Sequence, residues 1–380
     1  MNSFQNTSRR LIDSAPRSSV RTALMTAALA LPLTGLVHAE SAPEHGTIAL
    51  KYLDYQDSQP DTSRIKVQAS ALSILAPLSG EWSFGGTLTS DSISGASPLY
   101  QSSGITPMHD HRRALEADMT RYFSNGALTV GASVSSESDY LSRGLSLQAT
   151  RSSEDKNTTW TVGLGYNSDI INPTNLVVVD ATKQVTALLF GVTQVINSQD
   201  IVQVNMSLSL GRGDFSDPYK FADSRPNTKD SRTFMLRWNH FLDSTQGTAR
   251  LSYRYYTDSW SIDSHTLGFE YVQPLSQGWT VTPLARLYTQ SAASFYVNPD
   301  ASSFPFAPSS DNYSEDQRLS AFGAHTLGLK VTKQLDAAWL VDMKYENYEQ
   351  RASWRLFGSG SPSQVPFYAR SIQLGLSHAF

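Results

Sequence analysis

The sequence has no cysteine, so no disulfide stabilises the fold and the chain cannot be a lipoprotein anchored through a cysteine. After its N-terminal segment it has no run of about 18 uncharged apolar residues, which excludes a transmembrane helix. Hydrophobic residues make up only 40% of the chain, below the roughly 45–50% of a typical globular protein. The formal net charge of −4 gives no support for nucleic-acid binding. The fold class therefore has to be inferred from periodicity rather than from composition.

The first 39 residues have the composition of a secretory signal peptide. Four arginines form a basic start, an apolar stretch follows at 23–36, and Val37-His38-Ala39 gives the small-residue pattern of a cleavage site. A disordered basic tail would not explain the apolar stretch. We expect Sec-type export and cleavage after Ala39, which leaves residues 40–380 as a single mature domain.

Beyond Ala39 the chain repeats segments of about ten residues in which apolar and polar side chains alternate. Val202, Val204 and Met206, for example, alternate with Gln203 and Asn205. Alternate residues of a β-strand lie on opposite faces, so each segment has one apolar and one polar face. Sixteen such segments are predicted, at 46–56, 63–77, 81–94, 112–123, 127–138, 141–152, 158–168, 182–196, 200–211, 231–243, 248–258, 262–275, 279–293, 320–334, 338–352 and 369–380. An even number fits an all-β, antiparallel up-and-down transmembrane β-barrel of about 16 strands.

The connections between these segments alternate in length. Short ones occur at 78–80, 124–126, 197–199, 276–278 and 336–337, and most of the others are long, at 95–111, 169–181, 212–230, 294–319 and 353–368. Short periplasmic turns and longer external loops are typical of outer-membrane barrels. The external turns near Ser138 and Trp260 are short exceptions.

Tryptophan placement supports the same assignment. Trp82, Trp160, Trp279 and Trp339 each follow a short turn, at the start of an upward strand. A ring of tryptophans at one level is expected where a barrel wall meets the lipid–water boundary. A soluble β-sandwich has no reason to place four tryptophans in this way.

The last ten residues repeat the alternation. Ile372, Leu374, Leu376, His378 and Phe380 share one face, and the chain ends on the aromatic residue. This stretch resembles the C-terminal strand of bacterial outer-membrane barrels, which the barrel-assembly machinery recognises. His378 departs from that pattern, in which an apolar or aromatic residue is usual. We expect this strand to pair with 46–56, because two open edges in lipid would leave backbone groups unsatisfied.

Several stretches carry a resemblance to a known family. They are 89–98 (TSDSISGASP), 217–220 (DPYK), 223–226 (DSRP), 253–256 (YRYY), 258–260 (DSW), 264–267 (SHTL) and 288–296 (YTQSAASFY). The chain resembles the domain of unknown function 3570 family of Gram-negative proteins. That resemblance implies an outer-membrane barrel without an assigned activity, and it implies no catalytic residues.

Charged residues on the polar faces are the candidate functional residues, because only the lumen accommodates charge at low cost at membrane depth. The alternation predicts that a group of basic residues and a group of acidic residues point into the lumen. Glu270 is among the residues that would neutralise part of this lumenal charge. The candidates are Arg237, Arg250, Arg254 and Arg286, Asp91, Glu116 and Asp118, and Glu270. The third and eleventh strands of a sixteen-stranded ring lie opposite each other, so the two sets would create a transverse field at a constriction. The alternative is that these charges form lumenal salt bridges or hold an inward-folded plug.

Two loop features have less specific interpretations. Loop 294–319, with Pro299, Pro305, Pro308 and several acidic residues, is either a constriction or receptor loop or simply exposed. His109-Asp110-His111 has two potential metal ligands but no convincing third one, so no metal site is predicted. His265 and His325 fall on the outward phase near the outer rim and are expected to face the lipopolysaccharide level.

An enzyme requires a nucleophile, a base and an orienting group at one place. Asp258 and His265, with nearby serines, are close in sequence to the outer rim, but no motif identifies a triad or a cofactor site. The sequence favours a porin-like channel or binding barrel for small polar solutes. The expected partners are outer-membrane lipids and lipopolysaccharide, the barrel-assembly machinery and periplasmic chaperones. A non-conducting structural or partner-docking barrel is the alternative, and an outer-membrane hydrolase comes third.

Overall fold

The computed structural model describes residues 41–60, 62–96, 107–220, 223–299 and 311–380. The predicted signal peptide, 1–39, lies outside these residues and remains a prediction. Sixteen long strands form the wall: β1 (Thr47–Gln59), β2 (Thr62–Ser79), β3 (Trp82–Ala96), β4 (Pro107–Phe123), β5 (Gly126–Ser136), β6 (Tyr140–Ser152), β7 (Thr158–Ile171), β8 (Ala181–Val195), β9 (Asp200–Gly213), β11 (Thr228–Leu242), β12 (Gly247–Asp258), β13 (Asp263–Pro274), β14 (Trp279–Gln290), β16 (Phe322–Gln334), β17 (Trp339–Arg351) and β18 (Phe367–Ala379). Two short strands, β10 (Asp223–Ser224) and β15 (Tyr313–Ser314), lie in external loops.

The sixteen long strands form one closed antiparallel barrel, which confirms the predicted fold class and strand number. Each wall strand pairs with its neighbours in sequence, and β18 pairs with β1 over Thr47–Ser58 to close the ring. The predicted segments agree with the strands to within a few residues, the largest difference being β4, which begins at Pro107 instead of 112. The described residues include three 3-10 turns but no helix long and apolar enough to cross a membrane.

The wall has an apolar outer face because apolar and polar side chains alternate along each strand without interruption, so all the apolar ones lie on the same side. On β7, Trp160, Val162, Leu164 and Tyr166 are all exposed on the outside. Their neighbours on the inward face are threonine, glycine and asparagine. The outward apolar residues bury their surface in lipid rather than in a protein core, so their exposure is what a transmembrane barrel requires.

All four predicted girdle tryptophans are exposed on the outer face. Trp238 joins them, since it is also exposed and donates its indole N–H to Asp200 at 2.8 Å near the periplasmic end of β11. His378 stacks against Trp339, with ring centroids 4.3 Å apart. The unusual histidine of the terminal strand is therefore an aromatic partner within the girdle.

Candidate functional site

All eight charged residues predicted to face the lumen lie on the inner faces of their strands. On β12, for example, Arg254 lies on the face opposite to the exposed, lipid-facing Leu251. β3 and β12 lie eight places apart in the ring and so face each other across the lumen. The predicted opposition of these two strands is therefore present, and the role of the charges in a constriction remains a prediction.

Some of these charges form ion pairs within the wall. Asp91 is 3% exposed and accepts a hydrogen bond from Arg112 Nε at 2.7 Å, directly across the β3–β4 ladder. Arg250 lies 3.7 Å from Glu270, and Arg286 lies 3.7 Å from Glu346. The Asp91–Arg112 pair is buried, whereas Arg250, Glu270 and Arg286 are about half exposed; in each pair, opposite charges offset each other. These residues therefore contribute less to the field of the lumen than their sequence positions predict.

Four of the predicted charges have no ion pair within the described part of the chain. They are Glu116 and Asp118 on β4, and Arg237 and Arg254 on β11 and β12. Arg237 and Arg254 are exposed to the lumen. Asp118 lies against Gly85 of β3, where a Cβ atom would come within 2.4 Å of its Oδ1 atom. The unpaired charges, two acidic and two basic, are the strongest sources of a field across the pore.

The wall next to Glu116 and Asp118 is lined by small residues. Gly131 and Ser133 of β5, Gly144 and Ser146 of β6, and Gly165 of β7 leave a cavity of about 330 Å³ on the inner face. We call these five residues, with the two carboxylates, the small-residue bay. The register places them side by side, since Asp118 pairs with Gly131, which pairs with Ser146, which pairs with Gly165. The small side chains therefore leave open space beside the two carboxylates.

The wall opposite the bay carries ion-paired charges of both signs. β5, β6 and β7 face β14, β16 and β17, which carry Arg286, Lys330 and Lys344 on their inner faces. Carboxylates accompany them, because Lys330 lies 3.8 Å from Asp342 and Lys344 lies 2.9 Å from Glu346. From the strand pattern, Lys330 and Lys344 are expected, like Glu270, to neutralise part of the lumenal charge pattern and not to form the constriction.

Two external loops fold together at the outer mouth. The β9–β11 loop and the β14–β16 loop meet where β10 pairs with β15, through Asp223↔Ser314 and Ser224↔Tyr313. We call the described parts of these loops, 214–220, 223–227, 291–299 and 311–321, the cap. Predicted loop 294–319 is thus folded over its described residues; Pro305 and Pro308 lie outside them.

A buried carboxylate holds the cap together. Asp316 is 1% exposed and lies 2.7 Å from both Lys220 Nζ and Arg225 Nη2, and it also pairs with Arg318. Burial alone would raise the pKa of Asp316, but the charges of Arg318, Lys220 and Arg225 outweigh it and hold the pKa well below the ordinary value. Asp316 is therefore ionised at neutral pH, and three cations depend on it.

An aromatic cluster fixes the cap to the rim of the wall. Trp260, in the short β12–β13 turn, is 3% exposed and packs edge-on against Phe215 and Phe295, with ring centroids 5.7 and 5.2 Å away. Its indole N–H donates to the carbonyl oxygen of Thr228 at 2.8 Å. The short external turn that was an exception in the loop pattern is therefore a contact surface for the cap.

The cap reaches beyond the strands that carry it. Gln59, at the outer end of β1, donates to Gln317 at 3.2 Å. Tyr219 donates to Asp139 in the β5–β6 turn and accepts from the backbone N–H of Thr174 at 3.0 Å. Burial and the bond to Asp139 raise the pKa of Tyr219 to about 12, so the hydroxyl keeps its proton. These contacts connect separated parts of the rim across the outer mouth.

The two described side chains of the histidine motif lie on opposite faces of β4. His111 is exposed on the outward face of β4, whereas Asp110 is buried on the inward face; the side chain of His109 lies outside the described residues. Asp110 instead meets Glu137 and Asp139, and one oxygen of each lies within 4.8 Å of the others. Sequence spacing could not show this group, because the β4–β5 ladder and the β5–β6 turn bring it together.

The proposed acid–base neighbours of an enzymatic site lie on opposite sides of the wall. Asp258 accepts from the backbone N–H groups of Trp260 and Ile262, both at 3.0 Å, on the inner side. His265 points outward and hydrogen-bonds through Nδ1 with Tyr253 Oη at 2.7 Å. Asp258 and His265 therefore do not form a catalytic pair.

Comparisons with solved structures show the outer-membrane type of this barrel. A bacterial polysaccharide outer membrane secretin matches with a TM-score of 0.53 at 9% identity, over 88% of this chain and 98% of that chain. Weaker matches include OccD3 (OpdP) of Pseudomonas aeruginosa, with a TM-score of 0.46 at 11% identity over 89% and 91% of the two chains. The siderophore receptor PirA of Pseudomonas aeruginosa matches with a TM-score of 0.45 at 9% identity, over 89% and 80%. At these identities the likeness establishes the fold and no specific role.

The comparison with curated proteins finds no significant match. A family model described as "Protein of unknown function (DUF3570)" matches residues 100–182 and 175–369. The match covers most of the barrel, from the β3–β4 loop into β18, and leaves the first three strands and residues 89–98 before it. The chain belongs to the DUF3570 family.

Proposed function

We propose that this barrel passes small polar solutes across the outer membrane of a Gram-negative bacterium. The observation that carries the proposal is the set of four lumenal charges with no ion pair among the described residues: Glu116 and Asp118 in the small-residue bay, and Arg237 and Arg254 on β11 and β12, on the far side of the ring. A dipolar or zwitterionic solute would align between the two sets of charges, because each end meets the opposite charge and the low-dielectric wall focuses the field into the aqueous channel. A barrel of 16 strands is wide enough for an aqueous passage.

The cap is part of this proposal as a cover over the outer mouth. Its contacts to Gln59 on one flank and to Asp139 on the other restrict entry from outside. Export through the Sec pathway, removal of residues 1–39, chaperone escort and insertion by the barrel-assembly machinery complete the proposed route to the membrane. The C-terminal signal for that insertion is Ile372, Leu374, Leu376 and Phe380.

Planar-bilayer recording of the purified protein tests conduction, and liposome swelling tests the solute class. We expect discrete conductance steps, and faster entry of zwitterionic amino acids than of neutral sugars of similar size. Equal rates for both classes would contradict a role for the transverse field. The double variant Glu116→Gln with Asp118→Asn should abolish the preference while leaving sugar entry unchanged, because it removes charge without changing side-chain size.

The cap favours a second candidate, a barrel that conducts nothing and docks a partner through its outer surface. The buried ionic network around Asp316 is the observation behind it, since such a network holds one loop arrangement. Bilayers that stay silent at high protein load, both for the wild-type protein and for a variant with a disrupted cap, would favour this candidate.

A further inference from the structure

A second cavity lies outside the barrel, on the membrane side of its outer rim. It has a volume of about 540 Å³ and is lined by Tyr253, Tyr255, His265, Arg355 and Phe357, among others. The tyrosines and the histidine occupy the same outward phase as the lipid-facing Leu251 and Leu267. The cavity therefore opens toward the membrane and not toward the lumen.

The loop after β17 builds one side of this cavity by folding down over the outer surface of the wall. The backbone N–H of Leu356 donates to Thr289 Oγ1 on β14 at 2.9 Å, and Trp354 stacks on His325 of β16 at a centroid distance of 4.8 Å. Gly323 makes this approach possible, because a Cβ atom there would lie 2.0 Å from the carbonyl oxygen of Trp354. The loop is thus held against two neighbouring strands, with Leu356 on β14 and Trp354 on β16.

The tip of that loop consists of apolar side chains that are exposed on the protein surface. Phe357 is 78% exposed and Leu356 is 56% exposed, yet Phe357 also contacts His265, with ring centroids 5.1 Å apart. Phe357 has a φ of +62°, a left-handed conformation that costs a bulky residue free energy. Apolar side chains held in this way on the membrane side of a barrel are suited to contact lipid chains.

Arg355 provides a cation within the same cavity. Its Nη1 atom donates to the carbonyl oxygen of Ser359, and the backbone of Gly358 lies close against the guanidinium group. The side chain is only partly buried, and no carboxylate among the described residues pairs with it. The Nε atom is buried without a hydrogen-bond partner there, so the accessible part of the guanidinium lies at its Nη atoms. A fixed, unpaired guanidinium that is partly open to the cavity is a binding group for phosphate.

The other polar groups of the cavity fit a sugar. Tyr255 Oη donates to Asp263 Oδ1 at 2.9 Å, and Asp263 lines the cavity as an acceptor for hydroxyl or amide donors. A free phosphate ion would gain nothing from Asp263 or from the apolar tip of the loop. A ligand with a phosphate, sugar hydroxyls and acyl chains would meet every group that the cavity presents.

We infer that this external cavity binds the headgroup of a phosphorylated glycolipid of the outer leaflet, with its phosphate on Arg355 and its chains along Leu356 and Phe357. The surroundings support an anionic lipid, because Arg113, Arg143, Arg232 and Arg370 are also exposed on the outward phase of their strands, toward the external side. Arg355 differs from them in being fixed by a folded loop. The site is independent of whatever passes through the lumen.

Native mass spectrometry of the full protein in detergent tests the site, with bisphosphorylated lipid A as the probe. We expect one retained lipid per chain, and a loss of retention of about tenfold or more in Arg355→Ala, because a charge-assisted contact is removed. Arg113→Ala is the matched control, since β4 lies opposite β13 in the ring, and it should retain the lipid as the wild type does. Dephosphorylated lipid A should be retained poorly by all three proteins.

Heat-modifiable migration on gels shows whether each variant is folded, and Phe357→Ser gives a second variant that leaves the guanidinium in place. Equal retention by the wild type, Arg355→Ala and Phe357→Ser would overturn the inference. Equal loss in Arg113→Ala would also overturn it, because binding would then follow overall charge. Binding of inorganic phosphate alone as tightly as lipid A would identify an anion site and exclude the glycolipid, because the sugar and the acyl chains would then contribute nothing.

Discussion

Phe380 and Gly46 close the barrel by exchanging two backbone hydrogen bonds, of 2.8 and 2.9 Å, while the Phe380 ring covers the glycine. A Cβ atom on Gly46 would lie 2.4 Å from that ring. Phe380 therefore extends the β1–β18 ladder by one further pair at its periplasmic end. Without the pairing of β1 with β18, two strand edges would face lipid with unpaired backbone groups.

Replacement of Phe380 by serine should lower the amount of folded protein in the outer membrane several-fold before it affects transport. The measurement is the heat-modifiable fraction in isolated outer membranes. Phe123→Ser is the matched control, because Phe123 is also an exposed aromatic residue at the periplasmic end of a strand but does not close the ring. Equal losses in both variants would show that Phe380 has no special role in assembly.

Replacement of Asp316 by asparagine should loosen the cap. Lys220, Arg225 and Arg318 would lose their shared counter-ion, and removing one partner of a buried ionic network costs about 3–5 kcal/mol. We expect faster proteolysis within 311–320 and a larger or more frequent conductance, with the wall unchanged. Asp311→Asn removes the same charge from an exposed position in the same loop and should alter neither measurement.

The cap should resist acid. Burial raises the pKa of Asp316, but the greater effect of Arg318, Lys220 and Arg225 leaves it well below the ordinary value. A depressed pKa stabilises the folded cap above the unfolded value of about 3.9, and this stabilisation is lost only as the pH falls through the lower, folded value. Conductance and protease resistance should therefore be constant from pH 7 to pH 4. A transition with a midpoint near pH 6 would show that another group controls the cap.

The strands of the wall could be predicted from sequence because the features that determine them lie within short stretches of the chain. Alternation along Val202–Leu210 reports which side of a strand faces lipid, and the turn chemistry between segments reports where each strand ends. The ladder then determines the neighbours, so even the pairing of Asp91 with Arg112 follows once the register of β3 and β4 is known. That register, and not the residue types, was the missing information.

The cap and the external cavity could not be predicted in the same way. Asp316 meets Lys220 and Arg225 only because two loops separated by four wall strands fold together. Likewise Arg355 reaches the surface near His265 only because its loop turns outward over the glycine at position 323. Nothing periodic marks either contact. Gly323 in an otherwise regular strand was the one local signal, since a strand glycine often marks a close backbone approach.

Replacement of Arg254 by glutamate should change the ion selectivity of the pore. Arg254 is exposed to the lumen and forms no ion pair with the described residues, so its charge acts on passing ions. The substitution changes the charge by two units. At several ångströms in an aqueous channel, this changes the electrostatic energy of a passing ion by about 1 kcal/mol, which corresponds to about fivefold in the cation-to-anion permeability ratio at low salt. The reversal potential across a salt gradient should move in the cation-selective direction. Arg232→Glu makes the same change on the outer face of β11 and should leave the reversal potential unchanged. Equal potentials for Arg254→Glu and the wild type would remove Arg254 from the constriction.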